Sequence, residues 1–452
     1  DIFATGNTVA FNLPVFIADD VLISDFGNGI FFNSTVDDDG NAGTSSNLTL
    51  ESSGTVHFSD FVGETAALQS LTTIGDGTTE LFADVTTTGG TMTFGQRIVL
   101  FNAVELLDTG GTGISINNTV EDDGNNVTPS DLTLTTLDNA STITFNGLPS
   151  PAARIDSLTI NNEGEVIITT GANISVGGDL LQTGPGGVTA GGEFGTDGGR
   201  IQFVSPITLT DDSRFNTGNG GGDIDITNAV TGKHAATFRA GAGNVNLLAG
   251  LIDVASVEIE SAHNVTINSD ISAESLMQNS GTGETIINGS LMLSAVEGQD
   301  AMNLVTKRVE INQTVDTNGG SISIDAEDLD VNTNSGSINA TPVGVVSIGN
   351  INSLGQFGFG ASAVSPKINL GRKVDGELGV TRDELDLITA KVLVIGSFSA
   401  GDIEISDDLN VGGTETVHLI TGGGITGNGV ITETNLALDA LDDITLTGNN
   451  QV

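Results

Sequence analysis

The 452-residue chain contains no cysteine, tryptophan or tyrosine, and its 13 lysines and arginines stand against 58 aspartates and glutamates. Without cysteine the chain has no disulfide, no thiol chemistry and no cysteine-ligated zinc or iron–sulfur site. The formal net charge of −45 leaves too few cations for a large basic patch, so we expect no binding to nucleic acid. The sequence also lacks an apolar run of about 18 residues, which predicts no membrane-spanning helix.

Short alternations of apolar and polar residues run along most of the chain, separated by clusters of glycine, asparagine and aspartate. A period of two places successive side chains on opposite faces of a β-strand, and the residues of the clusters tolerate the positive φ angles of turns. Clear cases are residues 131–135, 142–145, 223–226, 321–324 and 402–405. Helical patterning is nearly absent, so we predict an all-β chain.

Two long segments of the chain repeat each other. Residues 29–40 match residues 113–124 at an offset of 84 (113 − 29), and residues 55–58 match residues 142–145 at an offset of 87 (142 − 55). The three added residues fall in the turn between them and leave the later alternation in register. Strands that keep their register while loops vary in length are typical of solenoids. We therefore predict a parallel β-helix of roughly 20-residue coils.

The predicted organisation is one continuous β-solenoid over residues 1–452. Residues 29–112 and 113–200 are related repeat units, and residues 201–452 form further degenerate coils. Apolar clusters in residues 1–28 predict an N-terminal cap or an assembly segment. Because the chain begins without methionine or an apolar leader, we expect an ordered piece of a longer precursor. A string of immunoglobulin-like sandwiches is the alternative.

The strand order of the C-terminal part carries a family resemblance. The segments that carry it, in order, are residues 378–388, 393–396, 401–405, 418–425, 435–438 and 443–448. This order resembles the repeat region of bacterial filamentous-haemagglutinin-like surface proteins, and residues 131–160 are similar to the β-strand repeats of the same exoproteins. The resemblance implies a right-handed β-helical shaft that is secreted and displayed outside the cell, at the bacterial surface. The family's secretion-domain signature, Asn-Pro-Asn-Gly, does not occur in this sequence.

Two acidic turns at equivalent repeat positions are candidate calcium sites. The carboxylates are Asp37, Asp38 and Asp39 in the first turn and Glu121, Asp122 and Asp123 in the second. Several oxygen ligands in a glycine-kinked loop suit Ca²⁺, so Ca²⁺ is the one cofactor that the sequence suggests. The alternative is a solvated turn in which aspartate and asparagine simply suit the backbone geometry.

Enzymatic chemistry finds little support in the sequence. Polysaccharide hydrolysis needs carboxylates that converge on one face, and pairs of acids are expected by chance among 58 of them. Lyase chemistry would need a basic cluster, but the adjacent basic pairs are only Lys307-Arg308 and Arg372-Lys373. The four histidines are scattered, and the alternation around His57 predicts that it faces outward. We therefore expect no enzyme.

The sequence favours a structural, extracellular surface protein without catalytic activity. It would be a β-helical shaft, or a protomer that associates head-to-tail into a filament or sheath. An adhesin shaft that attaches to a cell surface or polysaccharide matrix, and a polysaccharide-acting β-helix enzyme, are the alternatives. The Thr-X-Thr pattern of ice-binding solenoids occurs in places but not once per coil, which argues against an ice-binding surface.

Overall fold

The computed structural model describes residues 1–41, 45–125, 129–146, 153–349 and 366–452. The chain divides into two compact units, Asp1–Asn228 and Ala229–Val452. In both units short parallel strands stack turn upon turn as a β-solenoid, with a spacing of about 22 residues per turn. The predicted all-β parallel solenoid is confirmed, and its coils are slightly longer than the predicted 20 residues. The continuity of one solenoid over residues 1–452 stays a prediction.

The strands of the first unit are short, mostly three to five residues. They are β1 (Ile2–Ala4), β2 (Val9–Phe11), β3 (Val15–Ile17), β4 (Val21–Asp25), β5 (Gly29–Phe32), β6 (Val36–Asp38), β7 (Asn47–Ser52), β8 (Thr55–Phe58), β9 (Ser70–Ile74), β10 (Thr78–Leu81), β11 (Val85–Thr87), β12 (Thr91–Phe94), β13 (Arg97–Leu100), β14 (Val104–Asp108), β15 (Gly113–Ile116), β16 (Val120–Asp122), β17 (Leu132–Thr136), β18 (Thr142–Phe145), β19 (Leu158–Asn162), β20 (Val166–Ile168), β21 (Ile174–Ser175), β22 (Leu180–Gln182), β23 (Val188–Gly195), β24 (Ile201–Phe203), β25 (Ile207–Asn216) and β26 (Ile224–Ile226).

These strands form three parallel sheets around the core of the first unit. Sheet A contains β1, β4, β7, β9, β12, β15, β18, β20, β21, β23 and β25. Sheet B contains β2, β5, β8, β10, β13 and β16. Sheet C begins with the pair β3–β6, continues through bridges at Val62, and then contains β11, β14, β17, β19, β22, β24 and β26. Among the described residues, each turn of the first unit after β16 contributes strands to sheets A and C. Both β20 and β21 pair with the single bulged strand β23.

The described strands of the second unit include four longer members of eight to eleven residues. They are β27 (Val230–Thr231), β28 (Ala236–Arg239), β29 (Val245–Leu247), β30 (Leu251–Ser261), β31 (Val265–Ile267), β32 (Ile271–Gln278), β33 (Glu284–Ile287), β34 (Leu291–Leu293), β35 (Asp300–Val305), β36 (Arg308–Ile311), β37 (Thr314–Asp316), β38 (Ser321–Asp325), β39 (Asp328–Val331), β40 (Ser337–Asn339), β41 (Val345–Gly349), β42 (Ile368–Gly371), β43 (Leu378–Thr381), β44 (Ile388–Ser397), β45 (Ile403–Ile405), β46 (Thr414–Thr421), β47 (Ile425–Gly427), β48 (Leu436–Ala440) and β49 (Ile444–Leu446).

The second unit also has three parallel sheets. Sheet D contains β27, β28, β30, β32, β34, β35, β37, β38, β40, β41, β44, β46 and β48. Sheet E contains β29, β31, β33, β36 and β39, and sheet F contains β43, β42, β45, β47 and β49 in that spatial order. The helix α1 (Arg382–Leu385) follows β43 and begins with a capping box between Thr381 and Glu384. No helix among the described residues is long and apolar enough to cross a membrane.

Inward positions are apolar because each strand alternates, so every second side chain points into the coil. From the alternation in the sequence we predict that six residues of the repeat point inward, and all six are buried: Ile114, Ile116, Leu132, Leu134, Ile143 and Phe145. Parallel, in-register pairing stacks identical side chains on one another, as the ring of Phe32 shows. It stacks on Phe11 at a centroid distance of 5.0 Å and on Phe58 at 5.2 Å.

Several polar side chains that point inward obtain partners from neighbouring turns. Gln182 is fully buried, and its Nε2 atom donates to Asn162 Oδ1 at 2.7 Å and to Ser205 Oγ at 3.1 Å. In a similar way Thr79 Oγ1 donates to Gln96 Oε1 at 2.8 Å. These bonds offset the cost of burying amides and hydroxyls.

The two sequence repeats keep their strand pairing but occupy different sheets. Gly29–Phe32 pairs with Thr55–Phe58 in sheet B, whereas the equivalent Gly113–Ile116 pairs with Thr142–Phe145 in sheet A. From β5, sheet B runs through three turns to β13, and β14 and β15 then add one strand each in sheets C and A. The repeat therefore spans three turns and two of the three sheets of a fourth.

Replacement of Phe145 by alanine tests the inward register. Phe145 is 2% exposed, so F145A should destabilise its part of the first unit by about 3–5 kcal/mol, because the site cannot collapse onto the cavity. Hydrogen–deuterium exchange of the peptides that cover β15, β18 and β20 measures the effect. The control is T144A on the outer face of the same strand, and equal effects of the two variants would contradict this register.

Candidate functional site

The two acidic turns share one hydrogen-bonded structure. Asp38 is 4% exposed, and its carboxylate accepts the amides of Gly40 at 3.0 Å and Ser46 at 2.8 Å. Asp122 is 6% exposed and accepts the amides of Gly124 at 3.0 Å and Ser130 at 2.9 Å. Each carboxylate therefore closes its loop by binding amides two and eight residues later in the chain.

The same loops are tied to the preceding turn of the solenoid. Ser46 Oγ donates to the carbonyl of Ile17 at 3.2 Å, and Ser130 Oγ donates to the carbonyl of Leu100 at 3.3 Å. Gly40 has a φ of +72° and Gly124 a φ of +81°, a backbone region that side chains with a Cβ rarely adopt. The turn itself therefore requires the first aspartate and the glycine of the sequence pattern Asp-Asp-Gly.

The other carboxylates of the two turns are also engaged. Asp37 Oδ1 accepts the amide of Thr65 at 2.9 Å, and Asp39 and Asp123 accept the amides of Asn41 and Asn125 within their own turns. Glu121 is 9% exposed at its side chain, and its Oε2 lies 3.2 Å from Arg97 Nη1.

The two turns differ from a cage of converging ligands. Among the described residues, no three carboxylates of either turn bring ligand oxygens within 4.8 Å of one another. The five aspartates accept hydrogen bonds from backbone amides instead, and Glu121 is paired with Arg97. Calcium at these six carboxylates stays a prediction, and the geometry supports the role of turn closure.

The outer face of sheet B carries a second cluster. His57 faces outward as predicted, and its Nδ1 lies 2.8 Å from Glu80 Oε2 of the next turn. The ring of His57 lies between Phe31, with a centroid distance of 5.5 Å, and Phe82, with one of 4.9 Å. An open groove of about 380 Å³ follows along this face past Arg97. His57 and Arg97 on this face are each paired with a glutamate of a neighbouring turn. The arrangement therefore suits the stabilisation of stacked strands more than a reactive centre.

The two basic pairs noted in the sequence converge on one carboxylate in the second unit. Arg308 on β36 lies between β33 and β39, and its Nε is 3.2 Å from Asp328 Oδ2. Lys373 Nζ lies 3.4 Å from the other oxygen, Asp328 Oδ1. Arg308 also contacts three further acids: Glu284 at 3.5 Å, Glu310 at 2.9 Å and Asp330 at 3.3 Å.

Lys373 and the buried Glu384 close the exposed edge of β39. Glu384 Oε1 accepts the amide of Val331 at 3.2 Å and lies 2.9 Å from Lys373 Nζ. Lys373 Nζ also donates to the carbonyl of Leu329. A carboxylate and an ammonium thus take the place of the next strand, and the adjacent basic pair Arg372-Lys373 was the only signal of this arrangement in the sequence.

The charge of this cluster is negative overall, with Arg308 and Lys373 set against five carboxylates. Partial burial lowers the pKa of Arg308, but the hydrogen bond and charge of Glu310, with Glu284 and Asp328, outweigh it and raise that pKa above its usual value. Both cations are already bound by acids. The cluster therefore does not present the free basic group that an anionic lyase substrate would need.

Two further carboxyls of the second unit are held in unfavourable surroundings. Burial raises the pKa of Asp325. Burial also raises the pKa of Glu433, and the charge of Asp386 adds to this, although Glu433 accepts the amide of Val411 at 2.6 Å. Each of these groups costs stability when it is ionised.

Comparisons with models of protein families, with curated proteins and with solved structures find no match. The filamentous-haemagglutinin-like relationship therefore stays a prediction, and the arguments on function rest on the geometry.

The turn-closing role of Asp38 is testable by replacement with asparagine. D38N keeps one acceptor oxygen and turns an amide group towards a backbone N–H, so it should destabilise the turn by about 1–3 kcal/mol. Exchange of the Ser46 amide, measured with a chelator present, reports the change. The control is D39N, whose carboxylate bonds within the exposed part of the turn.

The calcium hypothesis predicts a different behaviour of the same samples, a dependence of their stability on the ion. If Ca²⁺ binds these turns, millimolar Ca²⁺ should raise the melting temperature and a chelator should lower it. An effect of D38N that disappears in chelator would contradict turn closure by amides alone, and a melting curve that Ca²⁺ does not move would contradict the calcium site.

Glu433 should make the stability of the second unit depend on pH. Its raised pKa in the folded state means that its contribution is favourable below its unfolded pKa of about 4.3 and is lost as the pH rises through the folded value. E433Q should therefore melt at a higher temperature than the parent at pH 7, with the difference vanishing near pH 4. The control is E415Q, at an exposed glutamate. A decrease in melting temperature at pH 7 would contradict the assignment.

Proposed function

We propose that the chain is a structural, non-catalytic β-solenoid shaft of an extracellular surface protein. The observation that carries the proposal is that several charged side chains on its outer faces bind the neighbouring turn. His57 with Glu80, Arg97 with Glu121, and Arg308 with Glu284 and Asp328 each join strands that are adjacent in a sheet.

A ladder of asparagines adds to this support. Asn288 Nδ2 donates to Asn268 Oδ1 at 2.8 Å, and Asn312 Nδ2 donates to Asn288 Oδ1 at 2.9 Å. Asn332 Nδ2 continues the ladder to Asn312 Oδ1 at 3.1 Å. Side chains used in this way hold successive turns in register, which is the property a shaft needs, and they are not arranged around a substrate.

The proposal includes head-to-tail association with a second copy of the chain. The first turn exposes Phe3, Leu13 and Phe16, with 69%, 75% and 63% of their surface accessible. Within the described residues, β1, β2 and β3 each pair along one edge only. Near the C-terminus, in the second unit, Leu441 and Val452 are 69% and 74% exposed.

Such an end-to-end contact suits both the backbone and the charge. Open strand edges are templates for another strand, and a heterologous contact that does not close produces an open fibre. At a net charge of −45, side-by-side packing is repelled at low salt. Longitudinal growth should therefore come first, and lateral bundling should need salt or divalent cations.

The double substitution F3S/F16S tests the joint. The parent chain should form fibres in electron micrographs and large species in sedimentation velocity, and F3S/F16S should remain monomeric at the same concentration. The control is F398S, at a phenylalanine that is 60% exposed in the second unit.

A parent chain that stays monomeric at high concentration with Ca²⁺ present would contradict the fibre and leave the adhesin shaft. Assembly of F3S/F16S equal to the parent's would place the joint elsewhere. Release of reducing ends from a panel of polysaccharides, absent from a heat-denatured control, would overturn the non-catalytic assignment.

A further inference from the structure

The outer face of sheet A in the first unit carries a continuous column of hydroxyl side chains. Thr49 on β7 is paired with Thr72 on β9, which is paired with Thr93 on β12. The column continues through Ser115 on β15 to Thr144 on β18. Five successive turns thus place a hydroxyl at the same outward position.

A second polar column runs beside the first, two residues earlier in the strands. It contains Asn47, Ser70, Thr91 and Thr142, which face outward, and it has a gap at Gly113, which lies between Thr91 and Thr142. Stacked strands repeat about every 4.8 Å, and alternate residues of a strand lie about 6.8 Å apart. The two columns form a two-dimensional grid with this one gap, which we name the hydroxyl grid.

The sequence argued against such a surface because the Thr-X-Thr pattern did not occur once per coil. Of the five strands, β12 and β18 carry the full pattern, and the other three keep a hydroxyl residue at its second position. Turn lengths in this region vary, from 21 residues between Met92 and Leu71 (92 − 71) to 29 between Ile143 and Ile114 (143 − 114). The spacing along the chain therefore hides a column that is uninterrupted in space, and serine or asparagine replaces threonine at some of its positions.

Four of the five hydroxyls of the first column are available to a ligand, whereas Ser115 Oγ donates to Asn117 Oδ1 at 3.1 Å. The side chains of Thr49, Thr72, Thr93 and Thr144 make no hydrogen bond to any residue that the structure describes, and all four are half-buried at the surface. In the second column the polar groups already have partners: Ser70 Oγ donates to Asn47 Oδ1 at 2.5 Å, and Thr142 Oγ1 donates to the carbonyl of Thr112 at 3.4 Å. The first column therefore has hydroxyl groups that can bond to an external partner, whereas those of the second column are already bonded within the chain.

The hydroxyl grid also excludes charge in a strongly acidic chain. Among the outward positions of its five strands, Glu51 alone is charged; it lies at the margin and accepts a hydrogen bond from Ser24 Oγ at 3.0 Å. The outer face of sheet B, by contrast, carries Glu80, Arg97 and Glu121. An uncharged face complements an uncharged surface, since a charged group would hold its own water shell against the contact.

We propose that the hydroxyl grid binds the surface of crystalline water. Each threonine supplies a hydroxyl that bonds a water oxygen and a methyl group that rests between such sites, and the parallel turns repeat both at lattice-like intervals. Crystalline polysaccharide is the other periodic uncharged surface, but sugar rings favour aromatic platforms and the five strands present no aromatic side chain outward.

The test uses the full chain and adjacent-turn substitutions. The parent should show thermal hysteresis and should be incorporated into a slowly growing ice hemisphere. T72Y/T93Y, which raises two rings above the hydroxyl grid, should lose both properties. The control is T133Y/T159Y, a register pair of outward threonines on sheet C of the same unit.

The more conservative variant T72V/T93V removes the hydroxyls and keeps the branched shape, so that folding is retained and hysteresis falls. Equal melting curves by circular dichroism establish that a variant is folded. Absence of hysteresis and of ice incorporation in the parent would overturn the proposal, as would equal losses in the sheet A and sheet C variants. Binding of the parent to crystalline cellulose that T72Y/T93Y abolishes, without any hysteresis, would also overturn it in favour of a polysaccharide-binding face.

Discussion

In-register parallel pairing decides which side chains meet in both units of this chain. A residue lies about 4.8 Å from its counterpart one turn away. The side chain at each position must therefore be compatible with the side chains at the same position in the two adjacent turns. Inside the coil this produces stacks such as Phe11, Phe32 and Phe58. A buried amide such as Gln182 is tolerated because Asn162 and Ser205, in the adjacent turns, receive its bonds.

On the outer faces the same pairing brings acidic side chains of successive turns close together, and their like charges repel one another. The chain reduces this repulsion locally in two ways. Single cations are placed between acids of neighbouring turns, as Arg308 is between Glu284 and Asp328. Other carboxylates, Asp38 and Asp122 among them, are turned towards backbone amides and serve as parts of the turn. Part of the negative charge is therefore built into the fold instead of being displayed for a ligand.

The sequence predicted the fold class and the inward residues well, because alternation and repetition depend only on neighbours along the chain. The burial of Ile114, Ile143 and Phe145 follows from that alternation alone. Contacts between distant segments were not predictable in this way. Lys373 reaches Asp328 and Glu384, and no local pattern indicates that these three residues share one strand edge. Unequal turn lengths hide the column through Thr49, Thr72 and Thr93 for the same reason, because spacing along the chain no longer measures spacing in the solenoid.

The length of the sequence repeat has a consequence for how the exterior of such a chain diversifies. The repeat covers three turns and two of the three sheets of a fourth. A strand of a copied segment therefore lies in a different sheet from the strand it was copied from. Its apolar residues still face inward, because the strands of all three sheets have the same alternation of inward and outward positions. Its outward residues, however, lie on a different sheet. His57 lies on sheet B, and its repeat partner Thr144 belongs to the hydroxyl column of sheet A. Duplication by a fractional number of turns thus redistributes old surface chemistry around the axis without any change to the core, and selection can then act on each side separately.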